Sequence, residues 1–249
     1  MIIPQMIKKQ LEHKTIRHFS DRPISNEIIQ LLFQVANQTA TSNGLQCFSM
    51  IQITDNELRS KIAQICNQDY VNDPPVFVIF VVDTHRNDQI AKEEGHQLQA
   101  LFDFDRFIQG TTDAVLAAQN MVNAAEALDL GSCYFGSILN DTAQLIELLQ
   151  LPKLTMPILG VGIGYPDQVP TIKPRMPLQY KVFENTYKEC EDYQTALQEY
   201  DHQLAQYRDL RFPDRTLPRF ADQIISRYEK LQPRKSNVLD MIRLQGFEL

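Results

Sequence analysis

The sequence predicts an α+β fold, and three observations carry that prediction. Residues 49–54 and 76–82 are runs of β-branched and aromatic residues followed or ended by turn-forming polar ones, the composition of strands. Residues 113–130, DAVLAAQNMVNAAEALDL, are apolar nearly all round and rich in alanine, the composition of a deeply buried helix. Strands and helices are mixed without a strict βαβ alternation, which argues against a doubly wound parallel sheet.

The elements follow in order along the chain. Ile24 and Ile29 flank Ser25 as a hydrophobic staple flanks an N-cap, so a helix is expected from about Asn26 through the apolar run 28–36. The run 49–54 is expected as a strand. The run 76–82 is apolar on both faces and is expected at the centre of a sheet. For the helix 113–130, Thr112 and Gly131 stand where caps belong. Residues 133–138 and 157–165 then read as two further strands, with a short helix 142–149 between them. After Tyr187, the residues Tyr193, Leu197, Tyr200, Leu204 and Tyr207 recur at alternating spacings of four and three, one stripe of a helical arm that packs on the body or on a second subunit.

A chain of 249 residues is long enough to bury a sizeable core without disulfides. Thirty-one acidic against 24 basic residues give a net charge of −7, which repels a phosphate backbone, so nucleic acid is not expected as a partner. No apolar run approaches the length of a bilayer span and no signal peptide is visible, so a cytoplasmic location and no membrane attachment are expected. Cys47, Cys66, Cys133 and Cys190 are widely separated, without C-x-x-C or histidine at ligand spacing; reduced core cysteines and no metal site are expected.

The common catalytic signatures are absent: there is no G-x-S-x-G, no G-x-x-x-x-G-K-[ST] and no H-E-x-x-H. The run Gly160-Val161-Gly162-Ile163-Gly164 lacks dinucleotide-binding spacing and ends at Tyr165-Pro166 instead of opening a helix, so its glycines are expected to ease close packing. Two basic clusters stand against the acidic background. His13-Lys14-Thr15-Ile16-Arg17 precedes a turn at Asp21-Arg22-Pro23, and Lys173-Pro174-Arg175 lies in a proline-stiffened loop after the glycine-rich run. Each alone is a solvated charge group; together they would supply the several fixed donors that a phosphate dianion needs.

These clusters, with Thr41-Ser42-Asn43 before Leu45-Gln46-Cys47, with Gln68, with Tyr134-Phe135-Gly136-Ser137 and with Lys173-Pro174-Arg175-Met176-Pro177, occur in the order expected of the nitroreductase superfamily. The chain most resembles its branch of oxygen-insensitive nitroreductase A and flavin reductase P. The resemblance implies an FMN-binding core over residues 1–187 and a helical C-terminal arm over 188–249 that embraces the partner of a homodimer. It also implies an NAD(P)H-dependent flavin oxidoreductase in which non-covalent FMN carries the hydride, so that no catalytic acid or base is needed. NADPH or NADH would be the reductant, with nitroaromatics, quinones or free flavin as acceptors in a ping-pong cycle.

By the same resemblance, His13, Lys14 and Arg175 would hold the FMN phosphate, and Thr15 with Thr41 or Ser42 would reach the ribityl chain or ring edge. Arg17 and Lys173 would place positive charge near the pyrimidine side, and Gln68 would bond the polar ring edge. Tyr134, Gly136 and Ser137 would complete the ring side, the Gly136-Ser137 turn presenting a backbone N–H. Arg211 and Arg215 are the nearest matches to the arginine that reads the NADPH 2′-phosphate, set against neighbouring Asp209 and Asp214. The chain departs from the pattern in having Lys14 for arginine, Ser137 for a second glycine, Leu139 for a basic residue, Gly44 for an aromatic, and Cys66-Asn67 for two glycines. Two rival readings stand beside this one: a protein that holds FMN without useful turnover, and a dimeric interaction protein without cofactor.

Overall fold

The computed structural model describes residues 3–229 and 237–248, and these fall into two compact units. The first runs up to Gln168 and takes in the last helix of the chain; the second begins at Val169. In chain order the helices and strands are α1 (Gln5–Leu11), α2 (Asn26–Asn37), β1 (Phe48–Gln52), α3 (Asn56–Cys66), β2 (Val76–Asp83), α4 (His85–Glu93), α5 (Phe104–Ala127), β3 (Gly131–Phe135), α6 (Thr142–Leu148), β4 (Thr155–Gly164), α7 (Tyr193–Ala196), α8 (Gln198–Gln206), α9 (Phe220–Tyr228) and α10 (Val238–Leu244).

The α+β prediction holds: the first unit is built on an antiparallel four-stranded sheet in the order β1-β2-β4-β3, with helices on both faces. Strand β2 is central, as its unbroken apolar run requires, and every residue from Val76 to Val82 is buried. Its side chains alternate between two cores. Val76, Val78 and Phe80 pack with Leu32 and Ala36 of α2 and the alanines of α5; Phe77, Ile79 and Val81 pack with Ile62 of α3, Phe135 of β3 and Leu145 of α6. A third cluster joins Val82, Phe107 and Met156 to Ile242 and Phe247, anchoring the chain's last helix on the same unit.

Local chemistry explains most boundaries. Ser25 caps α2, its Oγ accepting from the Ile28 N–H at 3.4 Å. Asp55 caps α3 in the same way, and Asn67 ends that helix in the left-handed conformation (φ 51°), which is where a glycine is otherwise favoured. The glycines of 160–164 lie inside β4 and ease close packing as expected: a Cβ on Gly162 would come within 2.7 Å of Pro74, and one on Gly164 within 2.6 Å of Phe19 and Pro75. Cys47, Cys66 and Cys133 are reduced and buried, and Cys190 is half-buried. No helix of the described residues is long and apolar enough to cross a membrane.

The structure corrects the sequence reading at three places. Helix α5 does not start near Asp113: it begins at Phe104 behind Asp103, whose carboxylate accepts from Asp105 N–H, and Thr112 lies inside it, bonded back to the Ile108 carbonyl at 2.9 Å. Nor is it buried all round in the single chain, since Ile108, Val115 and Leu116 are exposed on the face away from the sheet. The strand expected over 133–138 is shifted: β3 starts at Gly131, which is therefore no helix cap, and ends at Phe135, after which the chain tightens into a 3₁₀ turn, Gly136–Asp141. The arm stripe is not one helix; α7 and α8 break at Leu197, and Tyr207 is already extended. In the second unit Leu197, Tyr200 and Leu204 are nevertheless buried together, against Met176, Tyr180, Leu217 and Phe220.

Candidate functional site

The first basic cluster is laid along the free edge of the sheet. Thr15 pairs with Ser132 of β3 in a single parallel bridge, and the Ile16 N–H donates to the Ser132 carbonyl at 2.8 Å. The approach is possible because residue 131 is glycine: a Cβ there would sit 2.5 Å from the Ile16 side chain. His13 and Lys14 line a small cleft of about 180 Å³ with Lys9, Glu126 and Gly131. His13 Nδ1 meets the Glu126 carboxylate at 2.5 Å, which leaves Nε2 as its remaining polar group. Lys9 is paired with Asp129. Lys14 and Arg17, by contrast, make no hydrogen bond or ion pair among the described residues, and the Arg17 Nε is buried with no partner.

Two other expected site residues are brought into direct contact. Gln68 follows Asn67 at the end of α3, and Ser137 lies in the 3₁₀ turn after β3; Ser137 Oγ donates to Gln68 Oε1 at 2.8 Å. Asn140 Nδ2 donates to the Cys66 carbonyl at 3.3 Å and ties the same turn to α3. Gly136 opens onto free space, with nothing within 4 Å of where a Cβ would stand. Tyr134 is partly exposed on β3, its hydroxyl donating to Gln119 Oε1 at 3.1 Å.

Lys173 and Arg175 belong to the second unit, in a stretch without regular structure, where Arg175 Nη1 donates to the Lys173 carbonyl at 2.8 Å. Arg211, in the same unit, forks onto the Asp209 carboxylate with contacts of 2.7 and 3.1 Å. The Arg215 backbone closes a turn onto the Phe212 carbonyl.

Comparison with known proteins places this geometry. The model of the nitroreductase family matches residues 11–165, and that of its C-terminal domain matches residues 173–249. The chain belongs to the nitroreductase family. It is 33% identical over 97% of both chains to the FMN reductase (NADPH) of Bacillus subtilis. It is 32% identical to the oxygen-insensitive NADPH nitroreductase of Salmonella typhimurium, over 94% of this chain and 95% of that one. The NADPH:FMN oxidoreductase from Vibrio harveyi, solved in complex with NAD⁺, superposes with a TM-score of 0.86 at 30% identity, covering 98% of each chain.

In this nitroreductase the loop carrying Thr41 and Ser42 is held by residues that the sequence does not single out. Asn43, Gly44 and Gln46 are all in the left-handed region, a costly conformation for the two that are not glycine. Asp113, inside α5 and 1% exposed, accepts from the backbone N–H of Ser42 at 2.9 Å and of Cys47 at 3.1 Å. From the other side, Arg86 donates to the Gln46 and Phe48 carbonyls and Asn87 donates to that of Leu45. One turn before Asp113, Gly110 lets the loop lie against the helix: a Cβ there would be 2.8 Å from the Cys47 carbonyl. In the sequence Asp113 reads only as a first-turn acid of the expected helix, and only its partners reveal its task.

Proposed function

We propose that this chain is an NAD(P)H-dependent flavin oxidoreductase that holds one non-covalent FMN per chain, works as a cytoplasmic homodimer, and passes electrons to nitroaromatics, quinones or free flavin by a ping-pong cycle. The observation that carries the reading is the pair of unpartnered cations at the sheet edge. The Nε atoms of Arg17, Arg59 and Arg106 are all buried without an acceptor, but of the three only Arg17 belongs to the basic cluster at the sheet edge, where an anionic ligand would meet it. In a chain of net charge −7, Lys14 and Arg17 both remain without a carboxylate among the described residues. These residues fit FMN, whose phosphate needs cations and whose ring edge needs donors.

When bound, FMN supplies the redox chemistry, taking a hydride from NAD(P)H and giving up electrons to the acceptor. The protein's part is binding, orientation and field. His13, through Nε2, and Lys14 hold the phosphate, a role that the family resemblance also gives to Arg175; Thr15, Thr41 and Ser42 serve the ribityl chain or ring edge. Arg17 places positive charge on the pyrimidine side, a role that the family resemblance also gives to Lys173, and this favours the added negative charge of the reduced state. Gln68, Tyr134 and Ser137 line the ring side, and the open space at Gly136 leaves room for alternating substrates. The outward apolar face of α5, with Ile108, Val115 and Leu116, supports the homodimer.

The reductant is NADPH, in line with the names of the relatives. Arg211 and Arg215 are assigned to its 2′-phosphate, Arg211 having to leave Asp209 to reach it.

Absorbance of the purified protein, offered FMN and then anaerobic NADPH, tests the reading. A yellow dimer bleached by NADPH and reoxidised by a quinone is expected. A colourless protein after FMN has been offered overturns it. Flavin that NADPH does not bleach assigns the chain to FMN binding without turnover.

A further inference from the structure

We infer that Ser137 is a positioning residue: by donating to Oε1 of Gln68 it fixes that amide with its NH₂ group turned to the ligand, so the site meets the flavin's polar edge as a hydrogen-bond donor. The inference rests on the assignment of Gln68 to the FMN ring edge. A glutamine amide is a two-faced group, with an acceptor oxygen and a donor nitrogen that exchange places on a flip about its last torsion. Left to itself beside a ligand, it adapts to either polarity. Here the choice is made in advance, because Ser137 Oγ stands 2.8 Å from Oε1, and both residues are at least half-withdrawn from solvent.

The contact itself sets the direction, because Oε1 is an acceptor only and Oγ carries the one proton between them. The Ser137 hydroxyl also meets the Cys66 thiol. Burial pushes that thiol up to about 11. The hydroxyl proton of Ser137 goes to Oε1, which leaves the amide NH₂ as the group free to face a ligand. The chain Cys66–Ser137–Gln68 is rigid at both ends, since Asn140 Nδ2 ties the Ser137 turn to the Cys66 carbonyl and the Gln68 N–H is bonded to the Ala63 carbonyl at 3.2 Å. A glycine at position 137, usual in the branch this chain resembles, has no hydroxyl and leaves the amide free to turn.

An NH₂ fixed toward a ring-edge carbonyl helps oxidised FMN and helps the more negative reduced state further. The test is a double-mutant cycle on FMN affinity, read by flavin fluorescence quenching in wild type, Ser137→Ala, Gln68→Ala and the double variant. Ser137→Ala is expected to weaken binding about three- to tenfold in the wild-type background and to have no further effect once Gln68 is alanine. The midpoint potential of the bound flavin should fall in Ser137→Ala and be the same in Gln68→Ala and the double variant, a coupling that a merely structural serine does not produce. An equal loss from Ser137→Ala in both backgrounds, or none in either, overturns the inference while leaving the flavin reading intact. Wild-type protein that does not bind FMN overturns both.

Discussion

Replacing Asp113 by alanine tests the organisation of the site at the point where structure and sequence differ most. The carboxylate is 1% exposed and accepts two backbone N–H groups, of Ser42 at 2.9 Å and of Cys47 at 3.1 Å. Its removal leaves both donors without an acceptor, one of them fully buried, where no water replaces the lost oxygen. Each hydrogen bond to a charged acceptor is worth roughly 1.5 to 3 kcal/mol, so a loss of about 3 to 6 kcal/mol is expected. For a chain of this size that corresponds to a fall in Tm of roughly 6 to 24 °C. The loop also loses its reason to hold Asn43 and Gln46 at positive φ, so the damage should reach the ligand. Chemical denaturation gives the stability change, and hydrogen exchange at the Ser42 and Cys47 amides localises it. Asp113→Asn, which keeps one acceptor oxygen in place, should cost about half as much, because one N–H then faces an NH₂ group. A loss below about 1 kcal/mol for Asp113→Ala, with both amides still protected, would refute the reasoning.

Further expectations follow from the same geometry. Gly131→Val should displace the Thr15–Ser132 bridge, since even a Cβ meets Ile16 at 2.5 Å; FMN affinity should drop at least tenfold while Gly95→Ala, on an open turn, leaves it unchanged. Arg175→Ala should weaken FMN binding about ten- to a hundredfold, whereas Lys61→Ala, which only breaks a surface pair with Glu57, should not; equal retention of flavin removes Arg175 from the phosphate site. The buried Cys66 thiol is held above its ordinary value, so the folded state keeps its proton where the unfolded chain gives it up. Its contribution to stability is therefore intact below about pH 9 and fades toward pH 11, and thiol reagents at pH 8 should label it only at the rate of unfolding. Fast labelling of the native protein would contradict the burial. In the second unit, Arg211→Ala with Arg215→Ala should lower kcat/KM for NADPH much more than for NADH, and an unchanged ratio removes both arginines from recognition of the 2′-phosphate.

What the sequence determined by itself is what short-range chemistry decides. The Ser25 cap, the unbroken apolar run of β2 and the short helix expected over 142–149 and found over Thr142–Leu148 depend on neighbours a few positions away. The family, too, was legible from motifs in a fixed order along the chain, and the family models match residues 11–165 and 173–249. What only the tertiary structure decided is the set of contacts made across long stretches of chain. The helix was expected to start only at Asp113; it starts at Phe104 because Phe107 is buried, with Phe104 packed beside it, against Phe247 from the other end of the chain. The arm stripe breaks at Leu197 although its period continues, and nothing local announces the break. Asp113 carries no motif at all, and the motif that contains Ser137 does not show its contact with Gln68. Their roles lie in partners at separations of 66 to 71 residues, and a hydrogen bond between such positions leaves no periodicity for a sequence to display.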